Sequence, residues 1–237
     1  MLINGRTIQG VIFDIDGTLV DSFPVYCSAF NRGIQQYNLG PVSHRFLIDT
    51  LKRSPNLLEV FRKVFPPETD EALIEKCRKE ILELFMKAEV EEVKLFPGVR
   101  ELFENLRDKG IRIGVATGRT SLPEKEWERF KRYDVDLFID SIVTSREVEK
   151  RKPAPDAILE CANRLKVPIQ SCLVVGDTEA DIMASRTAGA IAVAVSTGED
   201  DYDLLERENP EFLFKALVEL NTLLDKQGPP LRQHSER

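Results

Sequence analysis

Residues 11–22 read VIFDIDGTLVDS. Three apolar residues, Val11, Ile12 and Phe13, run towards Asp14, a second acid follows at Asp16, and the Gly17-Thr18 pair then breaks the run. A short strand that is apolar at consecutive positions is buried on both faces, as in a parallel sheet, where antiparallel strands would alternate. Carboxylates are costly at the end of a buried strand, and two of them there point to chemistry.

Working outward, three more runs share this character: IRIGVAT (111–117), SCLVVGD (171–177) and AIAVAVST (190–197), with the first written as GVIFDI (10–15). Each is short, β-branched and bounded by Gly, Asp or Thr. Amphipathic stretches at 98–109, 122–132, 155–166, 179–188 and 215–225 separate them. Strands alternating with helices predict an α/β fold, a Rossmann-like parallel sheet covered by helices.

The rhythm breaks between residues 22 and 95. PVYCSAFNRGIQQYN and DEALIEKCRKEILELFMKAEVEEV carry helical patterning, with Leu73, Cys77, Ile81, Leu84 and Phe85 at helical spacing, and no buried strand stands out. The segment reads as an all-helical insertion after the first strand, ending where Pro97 and Gly98 turn the chain back. The expected organisation is a core of residues 1–21 plus 96–228, an insertion at 22–95 and a polar tail at 229–237. The insertion is expected over the carboxyl ends of the strands, where open α/β sheets bind ligands. The Asn4-Gly5 pair is read as a small hairpin turn.

Composition narrows the function. The 237 residues are 42% hydrophobic and 31% charged, with a net charge of -7. Such a balance is that of a globular protein and disfavours a nucleic-acid backbone as partner. No apolar stretch reaches a membrane span and the first residues lack a signal core, so a cytoplasmic protein with no membrane partner is expected. Cys27, Cys77, Cys161 and Cys172 show no C-x-x-C spacing and read as reduced packing residues. The run GEDDYD (198–203) reads as a solvated loop, and Trp127 as packing on its helix. Oligomeric state has no signal.

Asp14, Thr117, Lys152 and the pair Asp177 and Asp181 all lie at or just after strand ends. Taken singly, each has a structural reading: a turn at 14–17, an N-cap at Asp177, a strand end at Thr117 and a surface charge at Lys152. Taken together, carboxylates from different strands repel unless a cation lies between them, and donors that are all oxygen suit Mg²⁺. A cation, the Thr117 hydroxyl and the Lys152 ammonium would hold a phosphoryl group. With His only at 44 and 234, a His-activated nucleophile is disfavoured, whereas a carboxylate can attack phosphorus directly. On this reading Asp14 is the nucleophile and Asp16 the proton donor and later base.

DIDGTLVDS, ATGR, KRKPAPD and GDTEADI resemble the four motifs of the haloacid dehalogenase superfamily, in that family's order. Within it the chain resembles phosphoglycolate-phosphatase-like hydrolases with a helical cap after the first motif, which implies that 22–95 is such a cap. The resemblance implies Asp14 as nucleophile, Asp16 as general acid/base, Thr117 as phosphate-binding hydroxyl and Lys152 as the lysine that steadies both. It further implies Asp177 as Mg²⁺ ligand with the Asp14 carboxylate and the Asp16 carbonyl, and Asp181 in support of the metal. Gly118 and Arg119 fall on the phosphate and substrate side of the second motif. Arg119 and Arg151 stand where many relatives have other residues. Asp16 favours phosphate chemistry over dehalogenation, since dehalogenating relatives commonly have Tyr there. The substrate is expected to be a small phosphoester. The alternatives are a phosphosugar mutase of the same superfamily and a phospho-aspartate switch resembling a receiver domain. Arg119, Arg151, Phe23, Tyr26, Arg45 and Lys52 are weaker candidates for substrate contact.

Overall fold

A computed structural model of the chain describes residues 2–3, 5–53, 57–198 and 201–226. The elements run β1 (Leu2–Ile3), β2 (Arg6–Thr7), β3 (Gly10–Phe13), α1 (Phe23–Gln35), α2 (His44–Arg53), α3 (Leu57–Val64), α4 (Glu71–Glu92), α5 (Val99–Asp108) and β4 (Arg112–Thr117). They continue with α6 (Pro123–Arg132), β5 (Ser141–Thr144), α7 (Asp156–Leu165), β6 (Cys172–Gly176), α8 (Glu179–Ala188), β7 (Ile191–Val195), α9 (Tyr202–Arg207), β8 (Phe212–Phe214) and α10 (Leu217–Lys226). The chain divides into two compact units, one of Met1–Val20 with Leu95–Arg237 and one of Asp21–Lys94.

The first unit is the α/β fold expected from the sequence. Its sheet has the order β5-β4-β3-β6-β7-β8, and every pairing is parallel. β3 lies inside the sheet between β4 and β6, so the chain winds outward one way through β4 and β5, then crosses back to β6. This reversal is the topological switch point at which open α/β sheets place ligands. Val11, Ile12 and Phe13 are fully buried, as consecutive apolar positions with helices on both faces require. Ile12, Ala116, Val143 and Val174 from the sheet pack with Ile158, Cys161 and Leu165 of α7 and Ala184 of α8.

The edge strands β5 and β8 are additions to the expected set. At four and three residues they are too short to carry a pattern of their own. Asp140, just before β5, accepts the amide of Ile113 at 2.9 Å and bonds from the guanidinium groups of Arg107 and Arg112, which ties that edge to β4. β1 and β2 form an antiparallel pair, Leu2 opposite Thr7; Asn4 of the expected turn lies outside the described residues. The acidic run at 198–203 is not simply a loop: Asp201 accepts the amide of Leu204 at 2.9 Å and caps α9, while residues 199–200 lie outside the described residues.

The second unit is helical in its described residues. Phe30, Ile34, Leu47, Val60, Phe61, Ile74, Cys77 and Ile81 form its core, with Phe23 and Tyr26 packed against it. Arg45 is exposed, and the side chain of Lys52 lies outside the described residues. The four cysteines are free. Burial raises the thiols of Cys77, Cys161 and Cys172, to about 11, 12 and 12, as befits inert packing groups. Trp127 is half-buried on α6. No helix among the described residues is long and apolar enough to cross a membrane.

Candidate active site

Asp14 follows the last residue of β3. Its amide donates to the carbonyl of Val175 at 2.9 Å, extending the parallel ladder one step beyond the strand and fixing the backbone beneath the carboxylate. The chain then turns tightly: the amides of Leu19 and Val20 both reach the carbonyl of Ile15, at 2.8 and 3.0 Å. Gly17 takes a left-handed φ of 79° in this turn. A Cβ there would lie 2.2 Å from Asp177 Oδ2, and one on Gly198 would lie 1.8 Å from the same oxygen. Two backbones therefore close on the Asp177 carboxylate, and the Thr197 hydroxyl joins them by donating to the Gly17 carbonyl at 2.6 Å.

Asp177 is fully buried at the end of β6, and the buried Thr18 hydroxyl donates to its Oδ1 at 2.8 Å. It does not cap α8. That position belongs to Thr178, which forms a capping box with Asp181: the Asp181 amide donates to the Thr178 hydroxyl oxygen at 3.3 Å and the Thr178 amide to Asp181 Oδ2 at 3.2 Å, and the Thr178 hydroxyl also donates to Asp181 Oδ2 at 2.6 Å. Asp177 and Asp181 therefore converge through the strand-to-helix turn and not through helical periodicity, because Asp177 precedes the helix. One carboxylate oxygen from each of Asp14, Asp177 and Asp181 lies within 4.8 Å of the others.

Lys152 comes from the loop before α7, a loop held by the amide of Lys150 donating to Asp156 Oδ2 at 3.1 Å. Its ammonium lies 2.8 Å from Asp14 Oδ1, 2.7 Å from Asp181 Oδ1 and 2.7 Å from the Ala116 carbonyl. Burial alone would lower this ammonium; the two carboxylates outweigh it and raise it. Burial pushes the Asp14 carboxyl up to about 7; Lys152 pulls it back, and the charges of Asp181 and Asp16 push with burial. Three buried carboxylates against one ammonium leave excess negative charge in a low-dielectric site. A hard cation on these oxygens would remove that excess, and the donor set fits one.

Thr117 ends β4 beside this cluster, is 2% exposed, and accepts the amide of Arg119 on its hydroxyl at 3.2 Å. Ser145 fastens the same loop: its hydroxyl donates to the carbonyls of Gly118 and Arg119, 2.9 Å each. The Arg119 guanidinium forks onto Asp16, Nε to Oδ2 at 2.6 Å and Nη2 to Oδ1 at 2.5 Å. Thus Asp14 turns to Lys152 while Asp16, two residues on, turns to Arg119.

Asp14, Asp16, Thr117, Gly118, Arg119, Lys152, Asp177 and Asp181 all lie in the α/β unit, at or just beyond the carboxyl ends of β3, β4 and β6, in the first turn of α8 or on the loop before α7, whereas Phe23, Tyr26, Arg45 and Lys52 belong to the helical unit. Thr18, Ser145, Thr197 and Gly198 were not anticipated. Only the Gly-Thr pair after the two acids hinted at Thr18. The Arg119 to Asp16 pairing had no signal at all.

The fold is of the α/β class, a parallel sheet with carboxylates gathered at its switch point. The family model described as haloacid dehalogenase-like hydrolase matches residues 11–195, and the chain belongs to this family of enzymes. It is 27% identical to the phosphoglycolate phosphatase of Escherichia coli (strain K12), over 97% of this chain and 96% of the relative. It is 31% identical to the phosphorylated carbohydrates phosphatase of Thermotoga maritima, over 77% of this chain and 82% of that one. Among solved structures, a hydrolase from Pseudomonas syringae superposes with a TM-score of 0.73 at 25% identity, covering 93% of this chain and 100% of that one.

Proposed function

We propose that the protein is a Mg²⁺-dependent phosphohydrolase of small phosphomonoesters that works through an aspartyl phosphate on Asp14. The observation that carries this reading is the Asp14 carboxylate at the end of β3, held by Lys152 at 2.8 Å and grouped with Asp177 and Asp181. An oxygen of Asp14 attacks phosphorus, the bond from phosphorus to the ester oxygen breaks, and Asp16 gives that oxygen its proton. Asp16 then takes a proton from water as the water attacks the same phosphorus. The bond to Asp14 breaks, inorganic phosphate leaves and the carboxylate is restored.

Lys152 keeps Asp14 aimed through both steps, being itself fixed by Asp181 and the Ala116 carbonyl. The Thr117 hydroxyl and the Gly118 and Arg119 backbone form the wall against which the phosphoryl oxygens would rest. Asp14, Asp177 and the Asp16 carbonyl would hold Mg²⁺, supported by Asp181. When bound, the ion supplies positive charge against the phosphoryl oxygens. Residues 21–94 are proposed as the cap domain. The names of the relatives support phosphoglycolate and sugar phosphates as the first substrates to try.

The test is release of inorganic phosphate from 2-phosphoglycolate, sugar phosphates, nucleotides and pyrophosphate. Wild type and Asp14→Asn are compared with Mg²⁺ and with EDTA. Release that needs both the ion and Asp14 is expected; release by Asp14→Asn at the wild-type rate would refute the proposal.

A further inference from the structure

The chemistry above makes no use of Glu126, yet this carboxylate on α6 is fully buried. A buried carboxylate persists only with strong partners, and here they lead towards the site. Ser121 donates its hydroxyl to Oε1 at 2.5 Å, and Arg129 donates Nε to Oε2 at 2.9 Å. Nη1 of Arg119 lies 3.9 Å from Oε2, while its other edge, Nε and Nη2, grips Asp16. Asp16, Arg119, Glu126 and Arg129 thus form a row of alternating charge running from the site into the core.

We infer that Glu126 is a positioning residue that holds Arg119 as a strut, and that the strut fixes the orientation of the Asp16 carboxylate for proton transfer. The inference rests on the role of Asp16 proposed above. Arg119 has long, rotamer-rich stems at its disposal, but its backbone is fastened by Thr117 and Ser145 and its side chain is only 14% exposed. Asp16 sits on a tight turn with its side chain 38% exposed, where a short carboxylate would otherwise sample several rotamers. A two-point fork dictates direction as well as contact. With the Arg119 fork on one lone pair of each oxygen, the second site of one oxygen can carry the proton that Asp16 passes to the leaving oxygen.

The experiment compares kcat/KM for two esters. One is an alkyl ester, 2-phosphoglycolate or glucose 6-phosphate, whichever the wild type turns over faster; its alkoxide needs a proton to leave. The other is para-nitrophenyl phosphate, whose phenolate leaves without one. Asp16→Asn sets the signature, a loss concentrated on the alkyl ester. Glu126→Gln is expected to reproduce it with a loss on the order of tenfold to a hundredfold on the alkyl ester and within about threefold on the aryl ester. Glu126→Gln leaves the Arg129 charge without its carboxylate, so Glu126→Gln with Arg129→Met removes both charges, and Ser121→Ala loosens the anchor from its half-buried end. These are expected to show the same selectivity. Equal losses on both esters, or no loss on either, with Asp16→Asn still selective, would overturn the inference and leave the proposed function standing. If Asp16→Asn itself fails to discriminate the esters, the fault lies in the role given to Asp16, and the strut falls with it.

Discussion

Replacing Asp14 by Asn should make the metal-free protein more stable at pH 8. Asn has the shape of the protonated acid and can still accept the Lys152 hydrogen bond, so the variant reports the cost of ionising Asp14 in place. Burial moves that carboxyl from its ordinary 3.8 up to about 7. Between those values the folded protein holds a proton that the unfolded chain has released, so stability falls as pH rises. The contribution is fully present below about pH 4 and is lost as pH climbs through about 7. Each pH unit between the two values is worth about 1.4 kcal/mol, which sets a ceiling of about 4 kcal/mol. Relaxation of the loop around Gly17 and Lys152 brings the expected difference to about 2–4 kcal/mol.

The assay is urea denaturation of both proteins in EDTA at pH 4.5 and pH 8. The two should nearly coincide at the lower pH, and Asp14→Asn should be the more stable at the higher. Adding Mg²⁺ at pH 8 should then raise the wild type more than the variant, because the ion binds the folded carboxylates. Parallel pH profiles, or a wild type that exceeds the variant at pH 8 without metal, would refute the electrostatic argument.

Gly17→Ala should cost more activity than its size suggests, because a Cβ there would meet the Asp177 carboxylate at 2.2 Å and must displace it; titration with Mg²⁺ should show weakened binding in a folded protein. Lys152→Met should lower kcat by about a hundredfold or more, measured in steady state on the best ester of the panel, since both Asp14 and Asp181 lose their shared cation. For Asp140, burial is outweighed by the Ile113 amide and the Arg112 and Arg107 guanidiniums, which lower its carboxyl. Its folded value lies below the unfolded one, so its stabilisation is present above about pH 4 and lost as pH falls further. Asp140→Asn should therefore cost about 1–2 kcal/mol at pH 7, with the gap from wild type closing below pH 4 in thermal melts.

The central strands were legible because each is a run of buried apolar residues, and the helices between them because their apolar faces repeat. β5 and β8 were not, since a three- or four-residue edge strand is defined by its neighbour's hydrogen bonds. Of the candidate site, the acids stood out by residue type at strand ends and the lysine by its place in KRKPAPD, on the loop before α7. Their supports did not. Thr18 reaches Asp177 across 159 residues of chain and Arg119 reaches Asp16 across 103; both contacts exist only because the sheet order sets β3 between β4 and β6. Glu126 reads in sequence as one more charge in PEKEWERFKR, and only burial against Arg129 and Ser121 marks it out.

The most direct test of the central claim is to trap the phosphoryl group on the protein. Asp16→Asn is mixed with para-nitrophenyl phosphate, whose leaving group needs no proton, and Mg²⁺, quenched in acid within milliseconds to seconds, digested, and its peptides mapped by mass spectrometry. The account predicts a hydroxylamine-sensitive phosphate on Asp14, absent when EDTA replaces Mg²⁺. Phosphate on another residue, or release of inorganic phosphate by wild type with no label ever found on Asp14, would contradict it.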